Sequence, residues 1–248
     1  MRTFVVLFAV LTIASVAMAD WVTEFSTFHA PDYYLEANAD DCAVWEPDQQ
    51  CFRLTCHAGA RYGIIIQRVE SSYAVQEAYS LFGEFAAEFD FMIDGSADGI
   101  VFAWSDDPLA GGGRGGSLGW GRGRGYGVEL DCHNNPGHND PSGTHIALMH
   151  DGVDDHLAYA DAPSIQDGNW HTVGVYKSGN LISVHYDGAE VFNHTLVNDD
   201  VAGGRFRFSA ATGAVSAGQY VDNIQILCAE QSVSTETITW GGIKQLFR

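Results

Sequence analysis

ELDCHNNPGHNDPSGTH, residues 129–145, packs Glu129, Asp131, His133, Asn134, Asn135, His138, Asn139, Asp140 and His145 into one short segment. Val128 closes an apolar approach to it and Ile146 opens another. That pattern predicts a strand running into a loop, with a second strand leaving it. Side chains alternate faces along a strand, so Glu129 and Asp131 point the same way. Two carboxylates on one face repel unless something positive lies between them. A divalent cation is the economical answer.

The donor set says which cations. Glu129, Asp131, Asp140 and His145 offer three carboxylates and an imidazole, a mixed set that suits Mn2+ or a similar transition ion. Asp131 and Asp140 could also reach a second ion. Asn135 would add a side-chain oxygen and His133 a backbone carbonyl, giving the all-oxygen shell that Ca2+ prefers. The competing reading is an acidic, solvated loop built on the turn residues Asn-Asn-Pro-Gly. Catalysis has less support. Glu129 and Asp131 could serve a glycoside hydrolase or lyase, but no further carboxylate follows before Asp140 to act as proton donor.

Working outward, nearly every periodic segment reads as a strand. Phe85, Ala87, Phe89, Phe91 and Ile93 alternate with Ala86, Glu88, Asp90 and Met92, the mark of a half-buried strand. Residues 100–104 are almost all apolar, as a strand covered on both faces would be. Further strands are expected at 20–28, 52–56, 63–69, 146–149, 156–159, 169–176, 181–186, 190–196, 206–210 and 221–228. Residues 72–82 are ambiguous between strand and helix. Between 111 and 125 lies a glycine-dense loop. It is either a loose surface loop or one whose bare backbone lets N–H groups approach a ligand. No Lys-Ser/Thr follows it, which argues against a phosphate loop. Closely spaced strands with turn signals between them predict an all-β protein, a sandwich or barrel of antiparallel sheets.

The chain has 248 residues and a formal net charge of −20, which argues against nucleic acid and anionic membranes as partners. Residues 1–19 read as a signal peptide: Arg2, an apolar run over 4–14, then Ala17-Met18-Ala19 before Asp20. The run is too short to anchor in a bilayer, so a secreted or periplasmic, soluble protein is expected. Residues 20–229 then form one domain. Residues 230–248 form a Ser/Thr-rich linker and a short C-terminal tail. Cysteines stand at 42, 51, 56, 132 and 228. Export makes disulfides plausible. Cys42 with Cys51 and Cys56 with Cys228 are the candidate pairs, the second requiring that the first and last strands meet. Cys132 reads as packing, since a soft thiolate is a poor ligand for hard cations. Asn193-His194-Thr195 is a glycosylation sequon.

A family resemblance now rests on particular residues. In order, they are Ala97-Asp98-Gly99-Ile100-Val101-Phe102, the loop end Gly116-Ser117-Leu118-Gly119, Gly127-Val128-Glu129-Leu130-Asp131, Asn135, Asp140-Pro141-Ser142 and His145-Ile146. Gly168-Asn169-Trp170-His171-Thr172-Val173 and Phe208-Ser209-Ala210-Ala211-Thr212-Gly213 extend the order. The chain thereby resembles the L-type (legume-type, concanavalin A-like) lectins over about residues 20–228. The resemblance implies a jelly-roll β-sandwich and a glycan-binding, non-enzymatic protein with Ca2+ and Mn2+ sites. Its partners would be glycans or glycoproteins, with homo-oligomerisation left open.

It further implies that Glu129, Asp131, Asp140 and His145 hold the transition ion. Calcium would be held by Asp131, Asp140, Asn135 and the carbonyl of His133. Asp98 would accept sugar hydroxyls from behind a cis peptide bond kept in place by the metals. Gly116 and Asn135 would donate to the sugar, and the loop at Ala214 and Val215 would tune specificity. The chain departs from the family at three places. His133 stands where an aromatic ring is usual, and Cys132 where Thr is usual. The loop after Thr212 is short, leaving Gln219 and Tyr220 as an alternative specificity wall.

Overall fold

The computed structural model describes residues 21–22, 33–37, 43–67, 80–81, 83–107 and 111–228. The expectations for the leader and for the tail after 229 lie outside these residues, as does most of the ambiguous 72–82 segment. Among the described residues there are sixteen strands and no α-helix. They are β1 (Trp21–Val22), β2 (Tyr33–Ala37), β3 (Val44–Glu46), β4 (Cys51–Thr55), β5 (Tyr62–Gln67), β6 (Ser80–Leu81), β7 (Glu84–Gly95) and β8 (Gly99–Ser105). Then come β9 (Tyr126–Asp131), β10 (His145–His150), β11 (His156–Asp161), β12 (His171–Ser178), β13 (Leu181–Tyr186), β14 (Ala189–Thr195), β15 (Gly203–Ala211) and β16 (Ala217–Cys228). None of these elements is a helix long and apolar enough to cross a membrane.

Two antiparallel sheets pack face to face. One runs β14-β13-β12-β7-β16-β4-β3 with β1 beside β16; the other runs β11-β10-β9-β8-β15-β5-β2 with β6 beside β15. The alternation along β7 buries Phe85, Ala87, Phe89, Phe91 and Ile93 between the sheets, against Ile100, Phe102 and Trp104 of β8 and Phe206 and Phe208 of β15. Phe102 and Phe206 stack, with ring centroids 5.7 Å apart.

Strand β8 is apolar on both faces for a visible reason. Its other face, Val101 and Ala103, is covered by Leu118 and Trp120 from the glycine-rich loop, with Met149 and Val153. That loop is therefore ordered and plugged into the sheet. Gly127 of β9 leaves room for the Trp120 ring, whose atoms would lie 3.1 Å from a Cβ at that position. Buried Arg207 of β15 donates from Nη2 to the Gly119 carbonyl at 2.5 Å, holding the loop from below.

The hairpin expected over 169–186 is present as β12 and β13. Asp187 and Gly188, with φ of 48° and 79°, turn β13 into β14. Both residues need positive φ there, and Asp-Gly suits that turn.

Neither expected disulfide pairing forms. Cys51 and Cys228 are thiols, and Cys56 is disulfide-bonded. Cys56 directly follows β4, and β4 does pair with β16, the strand that bears Cys228. The register, however, puts Thr55 opposite Gln219. Cys228 lies at the other end of β16, opposite Phe85 of β7. Nine residues of strand span roughly 30 Å, whereas a disulfide needs Cα atoms within about 7 Å.

Lys177 of β12 is fully buried. Its Nζ donates to Asp199 Oδ2 at 2.5 Å and to the Gly179 carbonyl at 2.6 Å. Removing one partner of a buried pair strands the other charge. Asp199→Ala is expected to cost about 3 kcal/mol or more, read as a lower urea midpoint with an unchanged slope.

Candidate functional site

Sheet register gathers the site. Gly99 of β8 pairs with Asp131 of β9, Asp131 with His145 of β10, and Ala211 of β15 with Gly99. One row across the end of the sheet therefore carries the start of β8, the end of β9, the start of β10 and the end of β15. On β9, Tyr126, Val128 and Leu130 face the core, so Glu129 and Asp131 share the opposite face, as their spacing predicts.

Asp98 sits in this row, buried. Its backbone N–H donates to the Ala211 carbonyl at 3.0 Å, and its carbonyl accepts from the Cys132 N–H at 2.8 Å. Its carboxylate accepts from the Gly213 N–H at 2.5 Å and from Asn135 Nδ2 at 3.4 Å. Burial pushes its pKa up, and the Gly213 and Asn135 bonds oppose that rise. The Ala97–Asp98 bond is trans, against the cis expectation. A cis non-proline bond costs ~3–4 kcal/mol, and here trans geometry already delivers the carboxylate to these donors.

Gly116 lies against Asn135. A Cβ there would come within 2.5 Å of Asn135 Cγ and 2.7 Å of His138 Cδ2. Ala214 and Val215 follow Gly213 and are exposed at the rim. His133 is exposed as well, while its carbonyl accepts from Asn135 Nδ2 at 2.8 Å. The structure thus brings Asp98, Gly116, Asn135 and the 213–215 loop to one place.

Gln219 is not a wall. It is fully buried beneath Asp98, donating from Nε2 to the carbonyls of Ala97 at 2.8 Å and Ala211 at 3.1 Å and accepting from Thr55 Oγ1 at 2.7 Å. Tyr220, also buried, pairs with Met92. Gln219 faces inward because a buried amide must find partners, and the backbone turn at Asp98 provides them. Sequence offers no signal for this role, since two of its partners, Thr55 and Ala97, come from distant segments.

The carboxylates of the cluster repel one another. Asp131 is pushed up to about 9, by burial first and then by Glu129, with Asp140 and Asp98 adding to it. Asp140 is raised by burial and by Glu129. Asp131 Oδ1 accepts the His133 N–H at 2.6 Å, and Asp140 Oδ2 accepts the Asn135 N–H. These bonds wrap the 133–140 loop around both side chains. Glu129, His145 and His156 form a tighter group, their ligand atoms within 4.8 Å of one another. Asp131 and Asp140 stand outside that group. His145 Nε2 lies 2.9 Å and His156 Nε2 2.6 Å from the same Glu129 oxygen. His156 Nε2 lacks hydrogen-bond geometry to it, and His145 Nδ1 is also buried without a hydrogen-bond partner. Converging carboxylates with raised pKa values, beside an orphaned buried imidazole nitrogen, fit divalent cations.

This two-sheet sandwich is the L-type lectin fold. The lectin from Bauhinia forficata in complex with GalNAc matches at TM-score 0.69 and 17% identity, over 87% of this chain and 100% of that one. The VIP36 exoplasmic/lumenal domain in its Ca2+/Man3GlcNAc-bound form matches at 0.67 and 17%, over 88% and 90%. Lectin I-B4 of Griffonia simplicifolia, in its metal-free form, matches at 0.65 and 18%, over 82% and 95%. No family model matches the sequence, and a comparison with curated proteins finds no match.

Proposed function

We propose that this chain is a glycan-binding protein. Its site is Asp98, Gly116, Asn135, His133 and the Ala214–Val215 rim, and it carries out no chemistry on the sugar. One observation carries the reading: a buried carboxylate, Asp98, held by an amide N–H and the Asn135 side chain beside a glycine that a Cβ would close. A sugar presents paired hydroxyls, each donor and acceptor. Asp98 accepts from two of them, while the Gly116 N–H and the Asn135 amide donate back.

Calcium would be held by Asp131, Asp140, Asn135 and the His133 carbonyl, and a transition ion by Glu129 and His145. The calcium supplies rigidity. It pins Asn135, so little rotamer freedom is lost on binding. Residues 20–229 are the binding domain in this reading. Residues 1–19 direct export, and the partners are glycans or glycoproteins outside the cytosol. The solved lectins that share the fold carry mannose-type and GalNAc ligands in their structures, which sets the first probes.

A glycosidase reading is disfavoured by burial. Glu129 is 1% exposed, behind two imidazoles, whereas a nucleophile must touch the anomeric carbon.

A glycan array on metal-loaded protein, followed by calorimetry with mannose-type and galactose-type sugars, tests the proposal. Binding that survives both chelation and Asp98→Ala would overturn it. Gly116→Ala is a finer probe. Its methyl group must displace Asn135, so affinity is expected to fall at least about tenfold, roughly 1.4 kcal/mol. The melting temperature is expected to move little, because the displaced side chains lie on a loop.

A further inference from the structure

His156 reaches the carboxylate cluster through a defect in the sheet. Strands β10 and β11 pair Leu148 with Ala158 and then Met149 with His156, a register shift of one residue. Without that bulge His156 would fall on the face of Leu148, toward the core. With it, Leu157 and Ala158 both pack on the core, and His156 joins Met149 and Glu129 on the other face. Bulges re-aim single side chains in this way. The His156 side chain is 8% exposed, and its Nε2 lies 2.6 Å from Glu129 Oε1, outside hydrogen-bond geometry. His145 aims Nε2 at the same oxygen, its ring centroid 5.8 Å from that of His156.

We infer that His156 is a direct metal ligand, so that the transition-ion position is a Glu129–His145–His156 site for a Zn2+-type ion rather than for Mn2+. Two imidazoles and one carboxylate suit borderline ions such as Zn2+, Co2+ or Ni2+, whereas Mn2+ favours carboxylate, carbonyl and water oxygen. Asp131 and Asp140, turned toward the 133–140 loop, are then left to calcium. The inference rests on the proposed function only in taking this position to be a metal site; sugar binding is not required for it.

The test uses metal-stripped full-length protein titrated separately with Zn2+, Mn2+ and Ca2+ by calorimetry, and with Co2+ as a spectroscopic probe. Most nitrogen- and oxygen-donor sites prefer Zn2+ to Mn2+, so the preference alone decides nothing. The decisive quantity is its change on His156→Ala. An outer-shell partner is worth about 10–100-fold, so loss of a direct ligand is expected to weaken Zn2+ by at least about 100-fold and Mn2+ by less, while Ca2+, on Asp131 and Asp140, stays within about threefold. The visible Co2+ absorption should collapse in the same variant, and His194→Ala, on β14 of the other sheet and away from both His–carboxylate groups, should leave every ion unchanged. Co2+-shifted proton resonances of the unmutated protein count coordinated imidazoles whether or not the variant folds: two are expected. A single shifted imidazole, or Zn2+ affinity indifferent to His156→Ala, overturns the inference and leaves glycan binding standing. If no ion binds, the inference falls together with the metal part of the proposed function. If ions bind as expected and no glycan does, only the proposed function falls.

Discussion

Stripping divalent ions from this protein is expected to abolish glycan binding and lower the melting temperature together. Ions that bind only the folded state stabilise it by about 2.7 kcal/mol at one hundred times the dissociation constant. For a domain of this size that corresponds to roughly 5–10 °C. The metal-free protein should also show an inverted pH response. Asp131 is pushed up to about 9, and Asp140 and Asp98 are raised as well. A carboxyl whose folded pKa lies above its unfolded value binds its proton more tightly in the folded state. Stability is then greatest near and below the unfolded value of about 4 and falls as pH rises toward the folded values. Calcium and a transition ion pair those charges and should remove the downward slope between pH 5 and 8. Thermal melts across that range, with ions and with chelator, check both statements. A metal-free protein that gains stability from pH 5 to 8 would contradict them.

Asp98→Ala is expected to eliminate detectable sugar binding even with the metals in place. Two hydroxyl bonds to a carboxylate contribute about 1.5–3 kcal/mol each, so affinity should drop by at least two orders of magnitude. The variant also removes the acceptor of the Gly213 N–H, so the 213–215 rim loosens with it. Asp98→Asn separates the effects. Its carbonyl can still accept from Gly213, but its NH2 would face the NH2 of Asn135 and offers one acceptor where the carboxylate offered two. The Asn variant should therefore fold like the parent and still bind at least about tenfold more weakly. Calorimetry on both variants, with calcium affinity measured alongside, distinguishes a lost sugar contact from a collapsed site.

Much of this architecture was legible along the chain. The alternation over 85–93 announces a half-buried strand because a strand's two faces meet different surroundings. The unbroken apolar run over 100–104 announces cover on both sides, and the structure supplies it as Leu118 and Trp120. The carboxylate pair at 129 and 131 follows from the same period of two. The disulfides were not legible, because register rather than strand adjacency decides them. Cys56 follows β4 near the start of its partner β16, whereas Cys228 is the last residue of β16.

The sequence by itself determined an all-β chain of antiparallel strands and the shared face of Glu129 and Asp131. Those features depend on residue type and short-range periodicity, which the chain carries locally. Only the tertiary structure decided that Gln219 lies under Asp98, that the Ala97–Asp98 bond is trans and that His156 joins Glu129. The first and last depend on contacts between segments far apart in sequence, and the last also on a one-residue bulge. One residue of shift moves a side chain to the other face of a sheet, and nothing in local composition records it.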